Sequence, residues 1–312
     1  MSKNKIPSPL LAGETISNTS NKSSLLSDLK ALFKAPVLLA NVLPVFSGFW
    51  LALYFTNTSL SDRWGLFLLT LVGSTLVMAG ALILNNWYDV DIDTIMDRTK
   101  GRPTVTGSIS LKVVLTLGIV LSILGFILLL FTTVEATLYA FVGWFIYVFL
   151  YTMWSKRRYA FNTIIGSVSG AVTPLIGWAA IDSINHVVPI VLFLILFIFQ
   201  MPHTFAIAMR KCEEYRAAGV AMLPVVRGFK VTKRQMVAYI AFLLPFPFFL
   251  TDLGTTFIVI ATLLNVGWLV VSISGFFIKD DIKWAYVNFL YSVNYITILF
   301  LMMVIVTLPL FR

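Results

Sequence analysis

Asn85, Asp89, Asp93 and Asp97 recur at four-residue intervals in Asn85-Asn86-Trp87-Tyr88-Asp89-Val90-Asp91-Ile92-Asp93-Thr94-Ile95-Met96-Asp97. At about 100° per residue each step drifts by only about 40°, so a helix would carry the four side chains as one oxygen-bearing stripe. Carboxylates crowded on one face repel unless a cation lies between them. Hard oxygen donors suit Mg²⁺, which keeps several waters and bridges carboxylates to phosphate groups. Arg98, Lys100 and Arg102 follow directly and would meet an anion held by that metal. Asn85, Asp89 and Asp93 are therefore read as metal ligands, with Asp91 off the stripe and in solvent. The competing reading is a helix end that turns polar as it leaves an apolar region; the two Asn within the run and the basic residues beyond it favour the metal.

Three further groups carry chemistry. Tyr151-Thr152-Met153-Trp154-Ser155-Lys156-Arg157-Arg158 closes an apolar run with three cations, and reads either as an anion site or as a basic anchor at a membrane interface. His203, one of two histidines, sits inside an apolar run in Gln200-Met201-Pro202-His203; a packed core histidine, a hydrogen-bond donor to substrate and an axial ligand to haem iron all remain open. That run continues into Arg210-Lys211-Cys212-Glu213-Glu214, where the two glutamates would close a cation site from the opposite side or simply face water. His186, beside Asp182 in a polar interval, reads as solvated.

The elements that must position these residues follow from composition. The 312 residues are 59% hydrophobic and only 12% charged, with a mean hydropathy of +0.91. A soluble domain carries about a quarter charged residues, which excludes that class. Apolar runs of about 20 residues without alternation, such as Leu111 to Phe131, indicate membrane helices rather than a β-barrel. Nine spans are expected, near 36–55, 65–85, 111–131, 136–154, 161–180, 187–209, 236–251, 256–278 and 285–308. Residues 1–34 contain no signal-peptide run and read as a flexible cytoplasmic tail, with an amphipathic stretch from Ser24 to Phe33; residues 35–312 form the membrane domain. With the N-terminus inside, 21 of the 23 Lys and Arg fall on the cytoplasmic face, leaving Arg63 and Arg312. Topology thus accounts for the +9 net charge, and nucleic-acid binding has no further support. The lone Cys212 excludes an intrachain disulfide. Acidic clusters just after the second and sixth spans suggest a weak internal repeat facing a central cavity, a pattern also found in cation-coupled transporters. The 210–235 interval is long enough to act as a lid.

Asn85-x-x-x-Asp89-x-x-x-Asp93, Tyr151-Thr152-x-Trp154-x-Lys156-Arg157, Pro174-Leu175-Ile176-Gly177-Trp178-Ala179-Ala180, Gln200-Met201-Pro202-His203 and Glu214-Tyr215-x-x-Ala218-Gly219-x-x-Met222-Leu223-Pro224 together resemble the UbiA-type intramembrane prenyltransferases. The first motif is common to that family; the last two point to its haem-modifying branch. The resemblance covers everything after the tail. It implies an all-α, nine-helix bundle with one central cavity opening laterally to lipid, in a bacterial cytoplasmic membrane with the active-site face cytoplasmic. The implied reaction is Mg²⁺-assisted transfer of farnesyl from farnesyl diphosphate to a vinyl group of protohaem IX, giving haem O. Asn85, Asp89, Asp93 and Lys156 would be catalytic; Arg98, Lys100, Arg102, Tyr151, Arg157, His203 and Arg210 would bind substrate, Arg210 at a propionate; Glu213 and Glu214 would complete the metal set. Partners would be farnesyl diphosphate, protohaem IX and membrane lipid, with a haem A synthase as the candidate protein partner.

Two departures matter. Many members of the haem branch carry Lys-Pro-Arg at the first span where this chain has Lys34-Ala35-Pro36-Val37, so an arginine's anion-binding role does not carry over. His203 stands where the second motif usually begins with Asp. Three alternatives stay in view. A prenyltransferase acting on a quinone precursor would share the first motif but not the His203 string, a transporter would need no diphosphate chemistry, and a passive haem carrier would need no carboxylate stripe.

The charge asymmetry makes a topological prediction. In a Cys212→Ser background, Arg227→Cys should react with an impermeant maleimide only in inverted vesicles; labelling of intact cells would overturn the nine-span arrangement.

Overall fold

A computed structural model describes residues 25–308, and every regular element in them is helical. They are α1 Leu25–Leu32, α2 Ala35–Phe55, α3 Trp64–Tyr88, α4 Val90–Ile95, α5 Pro103–Thr106, α6 Leu111–Leu130, α7 Val134–Phe145, α8 Asn162–Ala171, α9 Thr173–Ala179, α10 Val187–Arg210, α11 Cys212–Ala217, α12 Leu223–Leu243, α13 Thr255–Ser274 and α14 Asp281–Ile305. Among the described residues, seven helices are long and apolar enough to cross a membrane: Ala35–Phe55, Leu60–Tyr88, Leu111–Leu130, Val134–Ser155, Val187–Arg210, Thr255–Ser274 and Asp281–Ile305.

The hydropathy pattern predicts two more, and the structure shows why they differ. The run at 161–180 is broken into α8 and α9. Pro174 has no N–H to give the Gly170 carbonyl, and the Thr173 hydroxyl donates to that carbonyl instead, at 2.6 Å. The interval expected at 236–251 begins thirteen residues earlier, at Leu223 with Pro224 in its first turn, and its helix ends at Leu243 before the short 3₁₀ turns that hold Pro247 and Asp252. Consequently 210–235 is not a loose lid: it consists of α11, a turn through Gly219 and the polar first half of α12, interrupted at Gly228 with φ 74°.

Residues 25–32, expected as part of a flexible tail, form a helix. Residues 1–24 lie outside the described residues, but α1 is a docked helix: Leu32 is fully buried against Ile83 and Val114, and the Asn86 amide donates to the Leu32 carbonyl at 2.7 Å. An amphipathic segment with a single buried anchor gains order from packing that its composition hides.

Packing in the bundle relies on small residues that let backbones touch. Helices α3 and α6 meet along Gly73, Gly80, Gly118 and Gly125. The tightest approach is between α2 and α9, where a Cβ on Gly48 would lie 2.1 Å from the Pro174 carbonyl oxygen and one on Gly177 2.0 Å from that of Val45. This contact sets how far α9, and with it the wall of the central cavity, stands from α2. Gly177→Ala should therefore lower stability in detergent by about 3 kcal/mol, because backbone rather than a movable side chain blocks the new methyl. Gly65→Ala, which meets nothing within 4 Å, should be neutral or slightly stabilising. Thermal unfolding of the two variants makes the comparison; equal melting temperatures would contradict this packing.

Candidate active site

Helix α3 ends at Tyr88, but backbone N–H groups of Asp89 and Asp93 still bond to the carbonyls of Asn85 and Asp89, at 3.0 and 2.9 Å. The four-residue spacing therefore brings Asn85, Asp89 and Asp93 to one place. Asn85 is 3%, Asp89 0% and Asp93 3% exposed. The Asn85 amide donates to Asp89 Oδ2 at 2.7 Å and to Thr152 Oγ at 3.0 Å. Asp97, the fourth member of the stripe, is not brought in, because the chain leaves helical geometry after Ile95. It faces solvent and pairs with Lys100 at 2.7 Å.

Three cations converge on this buried oxygen cluster. Lys34 donates to Asn85 Oδ1, Lys156 to Asp89 Oδ2 and Arg102 to Asp93 Oδ2. Each is delivered by a local irregularity. Lys34 lies between α1 and α2 in the left-handed region, at φ 48° and ψ 51°, a conformation that costs a non-glycine residue about 1–2 kcal/mol and turns its ammonium inward. Burial pulls its pKa well below the usual lysine range, and the neighbouring Arg102 and Lys156 act the same way against Asp89 and Asp93. Lys156 follows a π-helical continuation of α7, Ile146–Ser155, and its N–H bonds back to the Tyr151 carbonyl at 3.0 Å. That widening puts Tyr147 and Tyr151 on the cavity wall and sends Thr152 to Asn85. Arg102 precedes α5, where Pro103 occupies the first turn.

Asp91 is not simply solvated. Arg157 holds it with two hydrogen bonds of 2.6 and 2.7 Å, which keeps its carboxyl below the usual range. The same guanidinium lies 3.7 Å from Asp89 Oδ1, and that oxygen is buried with no hydrogen bond. Arg98 is exposed but acts electrostatically on Tyr215, whose hydroxyl pKa burial pushes up; Lys156 and Glu214 act on that hydroxyl too. Glu214, next to Tyr215 in the chain, has Oε1 on Lys211 at 2.5 Å and Oε2 buried without a hydrogen-bond partner; it forms no metal-binding group with Asp89 and Asp93. Glu213 lies in solvent: its side chain is 81% exposed and paired with Arg216.

His203 is placed away from the cavity. Its ring packs between Phe199 and Phe289, with centroids 5.3 Å away on each side, and Nδ1 shares a 2.7 Å hydrogen bond with Ser292, so it sits in the seam of α10 and α14. Gln200 and Thr204, on the adjoining face of α10, line the cavity instead. His186 is also no solvated side chain, for it stacks on Trp178, lies tilted against Phe55 and caps α10 by accepting from Val188 N.

The cavity below the cluster has a volume of about 240 Å³, with Trp144, Tyr147 and Tyr151 on one wall and Asn41, Gln200 and Thr204 among its polar groups. Among the described residues, no three His, Cys, Asp or Glu side chains form a metal-binding group. The oxygens of Asn85, Asp89 and Asp93 nevertheless fit a hard cation: two buried carboxylates and an amide, one carboxylate oxygen without a hydrogen bond, and three long cationic side chains that could turn to a bound anion. Lys34 and Thr152 also reach the cluster, although the motif spacing does not single them out. The signal for Lys34 was a cation directly before the first apolar run.

The sequence model of the UbiA prenyltransferase family matches residues 41–294. A protoheme IX farnesyltransferase of Oceanobacillus iheyensis is 56% identical over 305 residues, covering 97% of each chain, and one of Bacillus cereus is 54% identical over 287 residues, covering 92% of this chain and 94% of the relative. Among solved structures, that of a digeranylgeranylglyceryl phosphate synthase superposes with a TM-score of 0.72 at 17% identity, over 90% of this chain and 98% of the other. A UbiA homologue from Archaeoglobus fulgidus bound to DMAPP and Mg²⁺ gives 0.66 at 16% identity, over 87% and 100%. These two likenesses share the fold.

The convergence of three cations on a buried carboxylate face is testable with a simple anion. Lys34→Gln should weaken Mg²⁺-dependent binding of inorganic diphosphate about tenfold, the worth of one charge-assisted hydrogen bond. Lys100→Gln, whose side chain is 63% exposed on Asp97, should leave it unchanged. Calorimetry with both variants decides, and equal losses would remove Lys34 from the site.

Proposed function

The chain belongs to the UbiA prenyltransferase family, and we propose the reaction, the roles of its residues and the membrane arrangement on that premise. It transfers the farnesyl group of farnesyl diphosphate to a vinyl group of protohaem IX, giving haem O, the activity that its relatives at 54–56% identity are named for. The C1–O bond of farnesyl diphosphate breaks with its electron pair on the diphosphate, and C1 bonds to the terminal vinyl carbon. The ring-side carbon, left cationic, takes hydroxyl from water, and the proton goes to solvent.

The observation that carries the site assignment is the buried Asn85–Asp89–Asp93 cluster faced by three cations at the head of an aromatic cavity. Asn85, Asp89 and Asp93 would hold Mg²⁺, with Glu214 rather than Glu213 as the contribution of the second half. The bound metal would supply Lewis-acid neutralisation of the charge that grows on the leaving diphosphate. Mg²⁺ beside DMAPP in the Archaeoglobus homologue is consistent with that choice. Lys34, Arg102 and Lys156, now paired with the ligands themselves, would turn toward the diphosphate, Arg102 offering a planar fork and the lysines point charges. Arg98, above Tyr215, would cover it from the solvent side. Arg157 orients Asp91 and steadies Asp89. The rings of Trp144, Tyr147 and Tyr151 would face the allylic carbon and stabilise its positive charge where water is scarce. His203, in its seam, would hold α14 in register against α10.

For the membrane arrangement we propose nine crossings, with α8 and α9 together as the fifth and the apolar half of α12 as the seventh. The N-terminus and the carboxylate cluster would be cytoplasmic in a bacterial cytoplasmic membrane, supported by the 21 basic residues on that side.

Asp93→Ala should reduce turnover at least a thousandfold while haem binding and expression persist, because the lost ligand serves only the donor. Purified variants are incubated with farnesyl diphosphate, Mg²⁺ and either protohaem or an aromatic acid, and products weighed by mass spectrometry. Undiminished activity would sink the metal assignment; farnesylation of the aromatic acid alone would replace the acceptor.

A further inference from the structure

Arg210 ends α10 with its guanidinium over the ring of Tyr286, 4.5 Å from the centroid, and 5.5 Å from that of Phe289. Among the described residues it has no hydrogen bond or ion pair, unlike Arg102 and Arg157. Two aromatic faces hold the fork in place and leave its N–H edge open, a geometry suited to a carboxylate. Arg210, Asp280, Ile282, Lys283 and Tyr286 line an open depression of about 440 Å³. Of the acids nearby, Asp280 accepts from Lys283 N at 2.9 Å as the cap of α14, and Asp281 is paired with Lys233. The depression therefore presents two cations and one engaged carboxylate.

The cavity volume says what this depression is for. About 240 Å³ lies below the range of roughly 300–1,000 Å³ that encloses one drug-sized ligand. A fifteen-carbon chain occupies most of it, so a planar macrocycle must dock outside with only its reacting edge at the mouth. Val37, at the cytoplasm-facing start of α2 in the proposed topology, lines the cavity and is 48% exposed, which places an opening beside it. Arg210 follows His203 by seven residues and so lies on the α10 face that meets α14, beside rather than on the cavity-lining face of Thr204. The rise from Thr204 is about 9 Å, within the span of a porphyrin with its side chains.

We propose that Arg210 and Lys283 form the docking site for the two carboxylates of the tetrapyrrole acceptor, orienting its opposite, vinyl-bearing edge toward the cavity. This rests on protohaem being the acceptor. The aromatic pair Tyr286 and Phe289 positions the guanidinium, and the free carboxylates would distinguish the substrate from an esterified one.

The test uses the full-length protein in phosphatidylcholine nanodiscs, with protohaem IX and its dimethyl ester as probes. Arg210→Gln should weaken protohaem binding about 10- to 50-fold and Lys283→Gln by less, as expected for losing a charge-assisted pair. The ester should bind the unsubstituted protein about as weakly as protohaem binds Arg210→Gln, and neither substitution should change its affinity. A farnesyl thiodiphosphate titration with Mg²⁺ should be unchanged, which reports that the fold is intact. Unaltered protohaem affinity, or equal losses for acid and ester, would overturn the docking site. So would an effect of Arg210→Gln that appears only when phosphatidylglycerol is added, since the site would then take a lipid headgroup. If the unsubstituted protein fails to farnesylate protohaem, it is the acceptor assignment that falls; turnover with an insensitive Arg210 overturns the docking site alone.

Discussion

Two carboxylates, Asp89 and Asp93, are buried where a helix leaves the apolar bundle, and an isolated charge there is costly enough to require a cation. Nearly everything distinctive in the surrounding backbone serves that requirement. Lys34 reaches it through a left-handed residue, Lys156 through a π-helical turn and Arg102 from the head of a four-residue helix. Removing one partner of such a pair commonly costs about 3–5 kcal/mol, because the charge left behind has no water to turn to. The same pairs are poised for exchange. A divalent ion on the carboxylates would release three cations together beside the place where a diphosphate would sit.

The rest of the bundle fixes the distance between that charged head and the apolar space beneath it. Close backbone contact at Gly48 and Gly177 sets the wall made by α9, and the break at Pro174 lets that wall be built from two short helices rather than one. Helix α1, which leads into Lys34, is docked on α3 by Leu32 and by the amide of Asn86, the immediate neighbour of the Asn85 that joins the site. One turn of α3 thus anchors α1 and begins the carboxylate face.

Much of this was legible in the sequence, for reasons that can be stated. Spacing of four along α3 forces Asn85, Asp89 and Asp93 together, and basic residues after apolar runs mark one end of the bundle. What the pattern did not carry was tertiary. Asp97 keeps the spacing but not the helix, which ends at Ile95. Glu213 and Glu214 are neighbours in sequence, yet a short helix leaves one in solvent with Arg216 and partly buries the other on Lys211. His203 was conspicuous because it is rare, and the structure gives it to the α10–α14 seam, a choice that depends on Ser292 far along the chain. Lys34 was hidden because a cation beside an apolar run ordinarily reports topology. The fifth and seventh spans were read as single helices because hydropathy counts apolar residues and is blind to which carbonyl loses its donor at a proline.

The central claim is that Asn85, Asp89 and Asp93 accept a divalent ion together with a diphosphate, displacing the lysine and arginine partners seen between them. Mn²⁺ electron paramagnetic resonance on the purified protein tests it most directly, with farnesyl thiodiphosphate present or absent. The free Mn²⁺ signal should be depleted strongly when protein and analogue are both present, and this depletion should vanish in Asp89→Asn. Tight binding of the analogue in EDTA, or Mn²⁺ uptake that Asp89→Asn leaves intact, would contradict the account.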